Sequence, residues 1–129
     1  GCGAGREAVW LALYGWRVLA IDRLPDAIAR GRSLAERWGV GDRIGWRVGE
    51  VDGPVPADLT LMFRFFAPAA IPAAGAFLGE FFSDRHRAIH GKPTVAPSAD
   101  EVAVLVPGGV VEEGEREGGI RTVRVRRDG

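Results

Sequence analysis

The chain has 129 residues, 47% hydrophobic and 26% charged, which suits one domain around one core. Basic and acidic residues balance at 17 each, so net charge gives no argument for nucleic acid, and no apolar run reaches the roughly 20 residues that span a bilayer. The single cysteine, Cys2, excludes an internal disulfide and a CxxC metal site, and with no signal peptide in view the default setting is cytoplasmic.

The opening stretch, GCGAGREAVWLALYGWRVLAID, begins with three alternating glycines. The pattern predicts a helix over Arg6 to Tyr14, apolar on most sides and therefore well buried, with Gly15 as its stop. WRVLAID reads as a near-continuous apolar strand, the kind covered on both faces in a parallel sheet. LPDAIARGRSLAERWG reads as a second helix. Pro25 suits its first turn, and Ala27, Ile28, Leu34, Ala35 and Trp38 supply its apolar face. Trp10, Trp16, Trp38 and Trp46 are all expected to serve the core.

RIGWRVGEV is the next strand, DGPVPAD a loop, and the first five residues of LTLMFRFF a buried strand. Pro68 and Pro72 limit APAAIPAAG to a short helix at most. GAFLGEFF is a further strand and SDRHRAIHGKPTVAPS a loop. Ser98 and Glu101 form a capping-box pattern at the head of SADEVAVLV. The remainder, GGVVEEGEREGGIRTVRVRR, reads as a hairpin whose last strand alternates Val123 and Val125 with Arg124 and Arg126. Those arginines, with Arg121 and Arg127, read as a solvated face or a charged edge strand rather than a phosphate site.

Strand–helix alternation in the first half predicts an α/β fold on a parallel sheet. Ligands of such sheets bind outside the carboxyl ends of the strands, where Gly1 to Gly5, Asp22, Glu50 and Arg64 are expected to meet. A glycine turn lets a ligand approach the backbone, and the helix N-terminus behind it favours a negative group. An acid ending the next strand can accept hydrogen bonds from vicinal ribose hydroxyls. Asp22 stands 17 residues after Gly5, about one helix plus one strand. Together these features describe a nucleoside-bearing cofactor.

The spacing of the glycines selects among such cofactors. The dinucleotide pattern is GxGxxG; here the run is Gly1-Cys2-Gly3-Ala4-Gly5-Arg6, so an NAD-dependent oxidoreductase is disfavoured. GxGxG followed by this helix, strand and acid resembles the first two motifs of class I S-adenosylmethionine (SAM)-dependent methyltransferases. The GR-x-A-x-x-LA run is most similar to their small-molecule group, which includes the tellurite-resistance methyltransferases. The resemblance is specific over residues 1 to 23 and looser through DLTLMFRFF and HGKP.

It implies a Rossmann-like, three-layer, mostly parallel sheet with a C-terminal antiparallel hairpin, formed by residues 1–129 as a single domain. It also implies SAM as cofactor. Gly1, Cys2, Gly3 and Gly5 would line the amino-acid moiety of SAM. Asp22 would hold the ribose, with Arg23 bordering the adenine. Glu50 and Val51 would contact the adenine amino group, with Asp52 close enough to compete for that place. Phe63 and Arg64 would lie near the methionine part and the substrate, and His86, His90 and Lys92 would line the substrate site. The family's sheet begins with a strand before the glycines, so an N-terminal segment carrying it is expected to be missing here. A non-catalytic nucleoside-binding or scaffold remnant of the same fold is the alternative.

Other chemistry is weaker. His86 and His90 have a spacing that suits zinc only on a helix, and Gly91 and Pro93 argue for a loop, so no metal is assigned. Cys2 has no base placed beside it by sequence. Arg64, among apolar residues, needs an anionic partner, either a ligand carboxylate or a structural acid. Methyl transfer asks mainly for alignment of two reactants, so no catalytic residue is named. The Asn/Asp-Pro-Pro-aromatic signature of nucleic-acid amino methylation is absent where MFRFF stands. The expected partner is thus a small molecule, with no nucleic acid and no membrane; a homodimer is left open.

Overall fold

The structure, a computed structural model, describes residues 1–63, 65–82, 97, 99–106, 108–116 and 120–127. It comprises two compact units, Gly1–Val51 and Asp52–Gly129.

The first unit contains α1 (Arg6–Leu13), β1 (Val18–Asp22), α2 (Pro25–Arg37) and β2 (Ile44–Val48). β1 and β2 pair in parallel, from Val18 opposite Ile44 to Asp22 opposite Val48, with α2 as the crossover. Pro25 occupies the first turn of α2, where its missing N–H costs nothing. The core is built largely of small side chains: Ala8, Val9 and Ala12 from α1, Ala20 from β1, Ala35 from α2, and Val40 and Ile44. Cys2, Val18, Leu34 and Trp46 pack against it.

The expectation of a fully buried first helix is corrected. Residues 8, 9 and 12 share one face and are buried, whereas Trp10, Leu13 and Tyr14 are 59%, 46% and 72% exposed. The Trp10 and Tyr14 rings, four residues apart, rest on each other instead, with centroids 4.8 Å apart. Trp16 and Trp38 are exposed as well, so of the four tryptophans only Trp46 packs against the core of this unit. A short helix has one face to bury, and alternation of sequence hydrophobicity does not say which.

The second unit contains β3 (Ala57–Phe63), β4 (Ala74–Phe82), α3 (Ala99–Leu105), β5 (Gly109–Arg116) and β6 (Ile120–Arg127). Its sheet runs β3-β4-β6-β5. β3 and β4 are parallel, and β6 is antiparallel to both of its neighbours. Between β3 and β4, Pro68–Ala73 makes only a short 3₁₀ turn, as two prolines dictate. Phe77, Phe81, Val123, Val125, Ile71 and Val102 are buried, and Phe66 meets Phe81 edge to face.

β6 lies inside the sheet, with β5 and β3 at its edges. The arginines of RTVRVRR therefore do not guard an edge. Val123 and Val125 enter the core, Arg124 and Arg126 face out, and Arg121 and Arg124 face Glu113 (2.9 Å) and Glu112 (4.0 Å) on β5. Ser98, the expected cap of α3, lies outside the described residues; Asp100 and Glu101 fill the first turn of the helix. Among the described residues no helix is long and apolar enough to cross a membrane.

Gly31, inside α2, is explained by packing. A Cβ there would lie 2.4 Å from the Trp46 ring, and one on Gly5 would lie 2.6 Å from the same ring. Glycine to alanine in a helix interior usually stabilises by about 1 kcal/mol, but overpacking costs about 1–3 kcal/mol and should prevail here. Gly31→Ala is expected to lower the midpoint of denaturant unfolding. With Trp46→Leu added, the pair should be less destabilised than the two single changes summed; strict additivity would contradict this packing.

Candidate functional site

The first five residues form a turn docked on the end of β1. The Cys2 N–H donates to the carbonyl of Ile21 (2.9 Å), and the Gly5 N–H closes the turn on the Cys2 carbonyl (3.1 Å). Gly3 and Gly5 have φ of +55° and +80°, left-handed values that side chains disfavour. Gly5 is also the N-cap of α1, so the opening N–H groups of that helix have no side-chain cap. Nothing stands within 4 Å of where a Cβ on Gly3 would project. The alternating glycines thus have separate reasons: Gly3 leaves room, and Gly5 both turns the chain and admits Trp46.

Asp22 ends β1 as a buried carboxylate, 8% exposed. Its Oδ2 accepts the Gly3 N–H (2.9 Å) and its Oδ1 accepts the Leu24 N–H (2.9 Å). The second bond is an Asx turn that carries the chain out of β1 toward α2. Burial works against the ionised form. The N–H groups of Leu24 and Gly3, with Arg23 adding attraction, outweigh it and hold the carboxyl below the usual carboxylate range. The Gly49 N–H donates to the Asp22 carbonyl (2.9 Å), fastening the end of β2 to the same point.

Burial pushes the Cys2 thiol up from its ordinary value, and the Asp22 carboxylate adds to the rise. The thiol stays protonated at neutral pH and lacks the thiolate character of a nucleophile. The uncapped helix start, the open space over Gly3 and the fixed carboxylate form a donor and acceptor set that fits an adenosyl amino acid. Each carboxylate oxygen, having accepted one N–H, keeps a lone pair.

The structure brings Gly1, Cys2, Gly3, Gly5 and Asp22 together. Arg23 follows Asp22, and Glu50 and Val51 lie just past β2, at the same carboxyl edge; Glu50 is exposed and Val51 half-buried. Asp52 opens the second unit, where Phe63 ends β3, half-buried. Arg64, His86, His90 and Lys92 lie outside the described residues. Two contributors escaped the sequence reading. The Leu24 N–H carries no side-chain signal. The Trp46 contact was announced only by an isolated glycine, Gly31, inside a helical pattern.

Because the folded carboxyl of Asp22 titrates low, its contribution to stability is complete above the unfolded value, about 3.9, and is lost as pH falls through the folded value. Thermal unfolding followed by circular dichroism should find Asp22→Asn less stable than the parent at pH 7. The gap should narrow as pH drops below about 4; a gap independent of pH would contradict an ionised, hydrogen-bonded Asp22.

No family model matches the sequence. Solved structures do resemble it. Magnesium protoporphyrin IX methyltransferase (ChlM) from Synechocystis PCC 6803, solved with bound SAH, aligns with a TM-score of 0.73 at 15% identity, over 99% of this chain and 71% of that one. The SAM-dependent methyltransferase SibL, in its apo form, aligns at 0.72 and 18% identity, over 100% of this chain and 49% of SibL. An O-methyltransferase family 2 protein from Planctomyces limnophilus, in complex with apigenin, aligns at 0.71 and 18%, over 98% of this chain and 48% of its own. The chain therefore spans about half of two of these proteins and under three quarters of the third. Mixed α/β with a parallel βαβ unit and a closing antiparallel hairpin, this chain shares the Rossmann-like fold of these methyltransferase structures.

Proposed function

We propose that this chain is a SAM-dependent methyltransferase domain acting on a small-molecule acceptor. The observation that carries the reading is the Asp22 carboxylate held 2.9 Å from the Gly3 N–H, at the carboxyl edge of β1 and beside an uncapped helix start. In this reading the backbone of Gly1, Cys2, Gly3 and Gly5 receives the amino-acid end of SAM, its carboxylate facing the α1 N-terminus. Asp22 receives the ribose hydroxyls on its free lone pairs, Arg23 borders the adenine, and Glu50 and Val51 meet the adenine amino group.

Bound SAM would supply a methyl group already activated on a sulfonium. The share left to the chain is alignment and exclusion of water. Phe63 and Arg64 are assigned to the methionine side and the acceptor, and His86, His90 and Lys92 to the acceptor alone. A base is required only where the acceptor must lose a proton, and none is assigned. A small acceptor is supported by MFRFF, which lacks the nucleic-acid amino-methylation signature, and by the balanced charge of 17 basic and 17 acidic residues. The similarity of residues 1 to 23 to the small-molecule methyltransferase group points the same way.

Calorimetric titration with SAM and with its demethylated product SAH tests the reading. Both should bind, and Asp22→Ala should weaken each by about ten- to a hundredfold, the scale of losing hydrogen bonds to a charged group. Binding of neither would favour the non-catalytic scaffold, and binding of NADH in their place would favour an oxidoreductase. With SAM binding established, release of SAH across a panel of small acceptors measures transfer.

A further inference from the structure

A second concave surface lies in the first unit, where the glycine turn meets α2. It is an open groove of about 450 Å³, within the size range of small-ligand sites. Three guanidinium-bearing residues line it, Arg6 from the start of α1 and Arg30 and Arg37 from α2, together with Ser33. The remaining lining is apolar: Ala4, Ala29 and Leu34. No carboxylate lines the groove, and none of Gly1, Cys2, Gly3, Gly5 and Asp22 does, so its lining differs from that of the proposed adenosyl site, whose glycine turn it adjoins at Ala4 and Arg6.

The arginines are available. Arg6 and Arg37 enter no ion pair among the described residues. Arg30 pairs with Asp26 at 3.2 Å, four residues earlier on α2, but both side chains are mostly exposed, and such a pair is weak and readily exchanged. By contrast, Arg43 is committed elsewhere, donating to the Ala12 carbonyl (2.9 Å). Positions 30, 33 and 37 fall on one side of α2, and Arg6 faces the same cavity from a different element. Convergence from two elements distinguishes the groove from a solvated helix face.

We propose that this groove binds a small molecule carrying a phosphate monoester on a carbon body. Guanidinium groups bind phosphate in paired, charge-assisted hydrogen bonds, Ser33 offers a hydroxyl donor, and the Ala4, Ala29 and Leu34 surface suits the carbon portion. A nucleic-acid backbone is the less suitable occupant. It would ask for a stripe of cations following a chain, whereas these three converge on one cavity in a chain of balanced charge. The site goes beyond the proposed methyl transfer and does not depend on it.

The probe is phenyl phosphate, titrated into the full chain without SAM and followed by calorimetry, beside inorganic phosphate and phenol. Saturable one-to-one binding of phenyl phosphate, tighter than either fragment and strengthening between pH 5 and 7 as the ester takes its second charge near pH 6, is expected. Arg30→Gln/Arg37→Gln should weaken it at least about tenfold with the melting temperature unchanged, since the Arg30 side chain is 71% exposed. Should that variant unfold, Ser33→Ala and Arg6→Gln serve in its place. Absence of saturable binding, or binding indifferent to these changes, overturns the proposal. So does a short single-stranded RNA that binds more tightly than phenyl phosphate and is lost in the same variants. Because SAM is absent throughout, failure here is distinct from failure of the adenosyl site.

Discussion

A buried carboxylate holding two backbone N–H groups organises the first unit. Asp22 is short enough to remain over its own strand end, and its two oxygens point at different segments: Gly3 of the opening turn and Leu24 on the way to α2. A charge in so little water is costly unless hydrogen-bonded. Conversely, the two N–H groups, which the turn and the strand exit leave without partners in a ladder, need an acceptor. Each side of the arrangement satisfies a requirement of the other. The result is a negative group fixed at the carboxyl edge of β1, with the start of α1 close by.

That carboxylate would be of little use if the turn could drift. Its position is secured from the opposite direction by packing. The Trp46 ring of β2 approaches the backbone of Gly5 and Gly31 closely enough that neither could carry a Cβ without displacement. One aromatic side chain thus sets the spacing between the glycine turn, α2 and β2. Gly3, with open space above it, and Gly5 and Gly31, which admit a tryptophan, are neighbours in one structure. The same closeness brings Arg6 toward the arginines of α2 and creates the basic groove.

Much of this was legible in the residues. Helix and strand types from Arg6 to Val48, with approximate limits, follow from apolar runs, Pro25 and Gly15, because local backbone preferences and local hydrophobic patterning agree there; the strands come out shorter than the apolar runs suggested, at Val18–Asp22 and Ile44–Val48. The hairpin of β5 and β6 was readable from the alternation of valine and arginine. The exposure of Trp10, Tyr14, Trp16 and Trp38 was not. Burial depends on which neighbours arrive, and α1 presents Ala8, Val9 and Ala12 inward because small side chains let helix and sheet approach. The place of β6 inside its sheet was equally hidden, since strand order is a property of pairing partners far apart in sequence.

The sequence by itself determined the element types, the parallel βαβ opening, the GxGxG spacing of the opening glycines, and the acid at residue 22. These are local properties, set by backbone sterics and by chain distance along one helix and one strand. Only the tertiary structure decided that the Asp22 carboxylate bonds to the Gly3 N–H, that Trp46 fills the space vacated by two glycines, and that Arg6, Arg30 and Arg37 share a groove. Such contacts join residues 15 to 41 positions apart, and their geometry is fixed by close packing between elements, which no local pattern encodes.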